Sequence, residues 1–208
     1  MNELAEHLSY LKLPYIREHF EAVGKTAARK QWGHIEYLTE LVKQEANLRK
    51  DRSIQRRIRM ANFPVIKTLD QFDWAWPKKI NQAQIKNLFR LKFIEEKSNI
   101  IFIGSVGIGK THIASALGYQ ACLKNHTVLF CSAIDTVNNL TAAQHAGLLK
   151  QELKKYLKPS VLLMDELGYL PINKNGADLL FQIISERYER GSIVITTNRV
   201  FKQWPEIF

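Results

Sequence analysis

The sequence predicts an α/β fold, a parallel sheet flanked by helices and preceded by a small helical N-terminal domain. Three observations predict it. From residue 99 onward, four short apolar runs alternate with helical stretches: "NIIFIG" (99–104), "TVLFCS" (127–132), "VLLMDE" (161–166) and "SIVITTN" (192–198). Continuous apolar strands belong to sheets covered on both faces. A glycine-rich turn, "GSVGIGKT", joins the first run to the helix that follows it. Residues 3–62, by contrast, read as helices, with neither Gly nor Pro from about His34 to Ala61.

Each element follows in order. Leu4, Leu8 and Leu11 recur at helical spacing, and Pro14 separates that short helix from the next. Ile35, Leu38, Leu41 and Val42 keep the period until Pro64 in "NFPVIK" breaks it. Residues 67–98 read as a connector followed by one helix, about 80–96, which divides the chain into a helical domain, 1–66, and an α/β domain, 67–208. Further helices are predicted from Lys110 to about Leu123, over 133–143 and over 176–190. Parallel sheets bind ligands at the carboxyl ends of their strands. Functional polar residues should therefore stand just after an apolar run.

Composition narrows the class. At 46% hydrophobic and 24% charged over 208 residues, the chain can bury a sizeable core. No run approaches the roughly 18 apolar residues of a membrane helix, and Glu3 and Glu6 stand where a signal peptide would be basic and apolar. Cys122 and Cys131 fit no metal or CxxC spacing and read as reduced thiols of a cytoplasmic protein. The six histidines show no ligand spacing. The net charge of +10 favours a polyanionic partner.

"GSVGIGKT" (104–111) matches G-x-x-x-x-G-K-[ST] between a strand and a helix, the context that the motif requires. The fold class is therefore that of a P-loop NTPase. Gly104, Ser105, Val106, Gly107, Ile108 and Gly109 form the loop. Gly107 and Gly109 let backbone N–H groups turn in around phosphate oxygens, and the helix that begins at Lys110 points its positive end at the same anion. Lys110 would reach the β- and γ-phosphates of ATP, and Thr111 would offer its hydroxyl to Mg²⁺. His112, on the first helical turn, is either a neighbour of the nucleotide or a packing residue. "VLLMDE" delivers Asp165 as a second Mg²⁺ group and Glu166 as the general base for the attacking water. Asn198 ends the last strand and would contact the γ-phosphate or orient that water, with Thr196 or Thr197 sharing the task; a simple turn role is the alternative.

Other features stay open. Trp74 and Trp76 line an adenine pocket or pack internally. Arg187 and Arg190 are surface charges paired with Glu186 and Glu189, or they face a neighbouring subunit. "RKDRSIQRRIR" (49–59) holds six basic residues and one acid. At about 100° per residue, Arg49, Arg52, Arg56 and Arg59 share an arc of roughly 80°, opposite Ile54, Ile58 and Ala61. Such a row fits the phosphate backbone of double-stranded DNA, or is a solvated face.

The segments "LKLPYIREHF", "GSVGIGKTHIASALGYQAC", "LLMDELGYLP", "RYERGSIVITTN" and "FKQW" together resemble the IstB-like helper ATPases of bacterial insertion sequences, relatives of the DnaC helicase loaders within the AAA+ class. The resemblance implies Lys110 and Thr111 as Walker A residues, Asp165 and Glu166 as Walker B, and Asn198 as the sensor. It also implies a homo-oligomer that assembles on DNA with ATP and helps a transposase. In that family the chain continues beyond this point with a further strand, an arginine for the neighbouring subunit's γ-phosphate and a segment closing over the nucleotide. The expectation is a core whose last strand and lid are absent, with nucleotide binding carried over and efficient hydrolysis not. Three functions follow: a transposition helper, a replicative helicase loader, or a truncated ATP- or DNA-binding module.

Overall fold

Side chains from four elements of the chain's C-terminal part meet at one edge of a sheet, and the fold exists to bring them there. The computed structural model describes residues 3–77 and 80–206. They form two compact units that divide between Arg56 and Arg57.

The first unit contains α1 (Glu3–Tyr10), α2 (Pro14–Lys30) and most of α3 (His34–Met60). Leu8, Ile16 and Leu41 are its buried core, with Phe20, Val23 and Tyr37 packed against them. α2 has Pro14 in its first turn and no side-chain cap of its own. Glu45, buried on α3, supplies one: Oε2 accepts the backbone N–H groups of Tyr15 (2.8 Å) and Ile16 (3.3 Å). This satisfies two orphan donors and sets a negative group at the positive end of the helix.

The sequence reading puts the domain boundary at 66/67, ten residues later than the division between the units. The reason is that α3 does not stop where the first core stops. Ile58 and Ala61 are buried with the second unit. There the Ala61 carbonyl accepts the N–H of Phe130 at 2.7 Å.

In the second unit, α4 (Gln82–Leu88) and α5 (Lys92–Glu95) precede β1 (Ile100–Ile103) and α6 (Lys110–Leu123). After β2 (Val128–Ser132) come α7 (Ala133–His145), α8 (Leu149–Leu157), β3 (Val161–Leu167), α9 (Lys174–Arg187) and β4 (Ser192–Thr197). The strands form one wholly parallel sheet in the order β1-β4-β3-β2. The four apolar runs become these four strands. The chief core joins Leu162, Met164 and Ile195 of the sheet to Leu140, Leu153, Leu180 and Ile183 of α7, α8 and α9.

Two elements depart from expectation. The single helix predicted over about 80–96 is two, because Leu91 adopts a left-handed conformation (φ 62°) that lets Leu91, Phe93 and Ile94 all be buried. α8 was not anticipated; its apolar face rests on Leu153 and Tyr156, too few positions to stand out among its lysines. Both cysteines are free, and burial pushes each thiol up to about 11, which leaves them unreactive. Among the described residues, no helix is long and apolar enough to cross a membrane.

Arg187 settles an open reading. It is 2% exposed, and its guanidinium donates to the carbonyls of Tyr156, Leu157, Pro159, Ser160 and Ser192. It therefore ties the end of α8, the entry to β3 and the start of β4 into one joint. A Cβ on Gly191 would lie 2.6 Å from Nη2, so a side chain there would push the guanidinium out of this joint. Burial lowers the pKa of Arg187 to about 10, still charged at neutral pH. Arg190 is exposed. Arg187→Ala should cost at least about 3 kcal/mol, since several buried carbonyls lose a charged donor. Arg190→Ala should stay within about 0.5 kcal/mol. Urea unfolding of both variants checks the contrast.

Candidate nucleotide-binding site

The strand order decides the site. β4 lies between β1 and β3, so the loop leaving β1, the acids ending β3 and the amide after β4 are brought side by side. The Gly104 N–H donates to the Thr197 carbonyl (3.2 Å), which joins the base of the glycine-rich loop to the β4 end.

Gly107 and Gly109 both lie in the left-handed region (φ 82° and 86°). Gly109 is doubly constrained, because an added Cβ would stand 2.6 Å from the ring of Phe72. That ring is buried and meets His112 edge-on at 5.4 Å and Trp74 at 4.9 Å. The His112 ring donates through Nε2 to the Thr68 carbonyl (2.9 Å). The side chain of His112 thus braces the loop from behind and does not line the cleft. Trp74 belongs to the same brace, with the Lys86 ammonium 5.5 Å from its ring centre; neither Trp74 nor Trp76 lines the cleft.

The cleft has a volume of about 350 Å³, within the usual range for small-molecule sites. Val106, Gly107, Gly109, Lys110 and Thr111 line it from the loop and the start of α6, Glu166 and Tyr169 from the end of β3 and the turn after it, and Thr196, Thr197 and Asn198 from the end of β4. Ser105 is exposed on the loop and Ile108 is half-buried in a second groove beside β1. The Lys110 ammonium donates to the carbonyls of Gly104 and Ser105, both at 2.8 Å. Burial holds its pKa below the ordinary value, and Asp165 and Glu166 partly restore it.

Asp165 is buried at the end of β3. Its carboxylate accepts the Thr111 hydroxyl at 2.9 and 3.1 Å. A hydroxyl and a carboxylate that meet beside a phosphate-binding loop are the oxygen donors that Mg²⁺ takes, with water completing its shell. Among the described residues there is no cluster of three or more His, Cys, Asp or Glu that would hold a metal without a nucleotide. The Glu166 carboxylate and the Asn198 amide, both exposed, make no hydrogen bond among the described residues and stay available to a ligand.

Sequence reasoning missed two participants. Tyr169 follows Glu166 by three residues and lines the cleft; "DELGY" holds the only signal, an aromatic just past the acids. Arg199 donates through Nε to the Gly168 carbonyl (3.2 Å) and binds the loop after β3 to the exit of β4. Nothing in the sequence distinguishes it from a surface arginine.

The basic row divides. All four arginines lie on α3, but Arg49 donates to Glu45 Oε1 (3.2 Å) and to the Lys12 carbonyl, which makes it part of the first unit's frame. Arg52, Arg56 and Arg59 are exposed and have no acidic partner among the described residues.

A P-loop backed by a strand-end carboxylate, on a parallel sheet in which β4 separates the two, defines an AAA+-class ATP-binding protein. Solved structures agree on the fold. The DnaC helicase loader superposes with a TM-score of 0.54 at 27% identity, over 68% of this chain and 80% of that one. DnaA from Aquifex aeolicus with AMPPCP gives 0.62 at 21% identity, over 71% of this chain and under half, 46%, of that one. The family model described as IstB-like ATP binding protein matches residues 6–208. Among relatives, the ATP-binding protein of insertion sequence IS5376 of Geobacillus stearothermophilus is 38% identical, over 97% of this chain and 80% of its own. That of insertion sequence IS21 of Pseudomonas aeruginosa is 37% identical, over 100% and 78%. The chain belongs to the IstB-like ATP-binding protein family.

Gly109→Ala combines a strained left-handed backbone with a clash against Phe72. It should weaken binding of a fluorescent ATP analogue at least tenfold, on the order of 1.4 kcal/mol or more, with the far-UV circular dichroism unchanged.

Proposed function

We propose that this protein is a Mg²⁺-dependent ATPase that binds double-stranded DNA, assembles as a homo-oligomer in the cytoplasm and helps a transposase act. The observation that carries the reading is the convergence of Lys110, Thr111, Asp165, Glu166 and Asn198 on one cleft. In this reading the loop amides and Lys110 hold the β- and γ-phosphates. Thr111 and Asp165 would hold Mg²⁺, which supplies charge neutralisation at the phosphates. Glu166 accepts a proton from the attacking water, and Asn198 orients that water against the γ-phosphate.

The DNA and transposase parts have separate support. Relatives 37–38% identical over nearly the whole chain are named as ATP-binding proteins of insertion sequences. Arg52, Arg56 and Arg59 offer three exposed guanidinium groups without an acidic partner among the described residues, and the net charge of +10 favours a polyanion. A second reading, a helicase loader, is favoured by the likeness to the DnaC loader. Capture of a replicative helicase to the exclusion of transposase would establish it against the first.

ATP turnover by the chain with Mg²⁺, with and without duplex DNA, tests the first reading. Lys110→Ala should abolish it; equal turnover in both proteins would place hydrolysis outside this site. On DNA, Arg52→Ala with Arg56→Ala should weaken binding at every sequence and lower the slope of log K against log salt by about 2. Arg49→Ala, already engaged with Glu45, should change the slope much less.

A further inference from the structure

β3 loses its register with β4 between Met164 and Leu167. Within that interruption Glu166 takes a left-handed backbone (φ 60°), followed by Gly168 at φ 77°. A glutamate in this conformation is strained and persists only where its surroundings fix it. Successive β4 groups do the fixing. The Thr197 hydroxyl donates to the Leu167 carbonyl at 2.7 Å and accepts the Arg199 N–H at 3.0 Å.

Thr196 has the decisive position. Its side chain is 2% exposed, and its single hydroxyl proton goes to Asp165 Oδ1. The same oxygen accepts the backbone N–H of Glu166 at 3.0 Å. One buried hydroxyl therefore touches both acids of the site, the first through its carboxylate and the second through the backbone that aims it. With its proton on Asp165, that hydroxyl cannot donate to a phosphate, so Thr196 does not share the task of Asn198.

We propose that Thr196 is a positioning residue for hydrolysis: it locks the bulge in which Glu166 sits and sets the Asp165 carboxylate toward Thr111, so that base and metal-holding carboxylate move as one piece. This rests on the reading of the site as an ATPase. Thr196 itself touches no reacting atom. A residue acting so should govern turnover far more than nucleotide affinity, because the loop amides and Lys110, which bind phosphate, lie outside the bulge.

The test compares Thr196→Val, which keeps the shape and deletes the hydroxyl, with Thr196→Ser, which keeps the hydroxyl. Thr196→Val should lower kcat on the order of 100-fold, the size expected when a catalytic group is misplaced by about 1 Å. KM for ATP and affinity for a fluorescent ATP analogue should stay within about threefold, and Thr196→Ser should retain at least about half of the turnover. Hydrogen exchange of the Glu166 amide gives an independent readout: protection should drop at least about tenfold in Thr196→Val and hold in Thr196→Ser. Unchanged kcat in Thr196→Val, equal loss in both variants, or unchanged protection of the Glu166 amide would overturn the inference. Wild-type chain without turnover would instead overturn the ATPase reading, while the amide measurement still decides whether Thr196 holds the bulge.

Discussion

The site depends on one buried carboxylate. Asp165 accepts hydroxyls from Thr111 at the start of α6 and from Thr196 on β4, and so ties the helix after the glycine-rich loop to the sheet. Buried charge is costly unless fully hydrogen-bonded. The surrounding fold supplies what this group requires: a helix N-terminus on one side and a hydroxyl-bearing strand on the other. Moving either element would cost this buried carboxylate a hydroxyl donor, so the geometry of the cleft is held by the cost of disturbing it.

That arrangement needs β4 between β1 and β3. Had the strands followed chain order, the loop after β1 would face β2, whose last residue, Ser132, is engaged in capping α7 through the Asp135 N–H. With β4 inserted, Thr196 reaches Asp165, Thr197 reaches Leu167, and the Gly104 N–H reaches the Thr197 carbonyl. The hydroxyls facing the sheet are all satisfied within the protein. Glu166 and Asn198, both exposed, line the cleft beyond them and make no hydrogen bond among the described residues.

The strands and the loop were legible in the sequence because their signals are local. Four apolar runs and the spacing of Gly104, Gly109, Lys110 and Thr111 need no tertiary information. Asp165 and Glu166 were legible by position, just after an apolar run. What was hidden depends on residues distant in the chain. The break at Leu91 carries no glycine or proline, because burial of Phe93 and Ile94 enforces it. The role of Phe72 behind Gly109 joins residues 37 apart in sequence. The boundary read from the sequence and the division at Arg56 differ by ten residues because one uninterrupted helix serves two cores, and a helical period cannot show which core each turn faces.

Arginine shows the same limit in sharper form. Sequence counts Arg49, Arg52, Arg187 and Arg199 as equal charges, yet their surroundings divide them into different tools. Arg187 is sealed among carbonyl oxygens and holds a joint of the core. Arg49 braces Glu45, which in turn caps α2. Arg199 fastens the loop after the acids. A guanidinium engaged in this way would have to abandon buried or half-buried acceptors before it could bind phosphate, and the lost contacts would offset the gain. Arg52, Arg56 and Arg59 abandon nothing. Their surface position makes each a weak contributor to stability, and in the DNA-binding reading proposed above it would make each an inexpensive contributor to binding, since release of condensed counterions would supply the driving force. Only part of the chain's positive charge is thus free of partners among the described residues, and partners within the fold, not position in the basic run, decide which part.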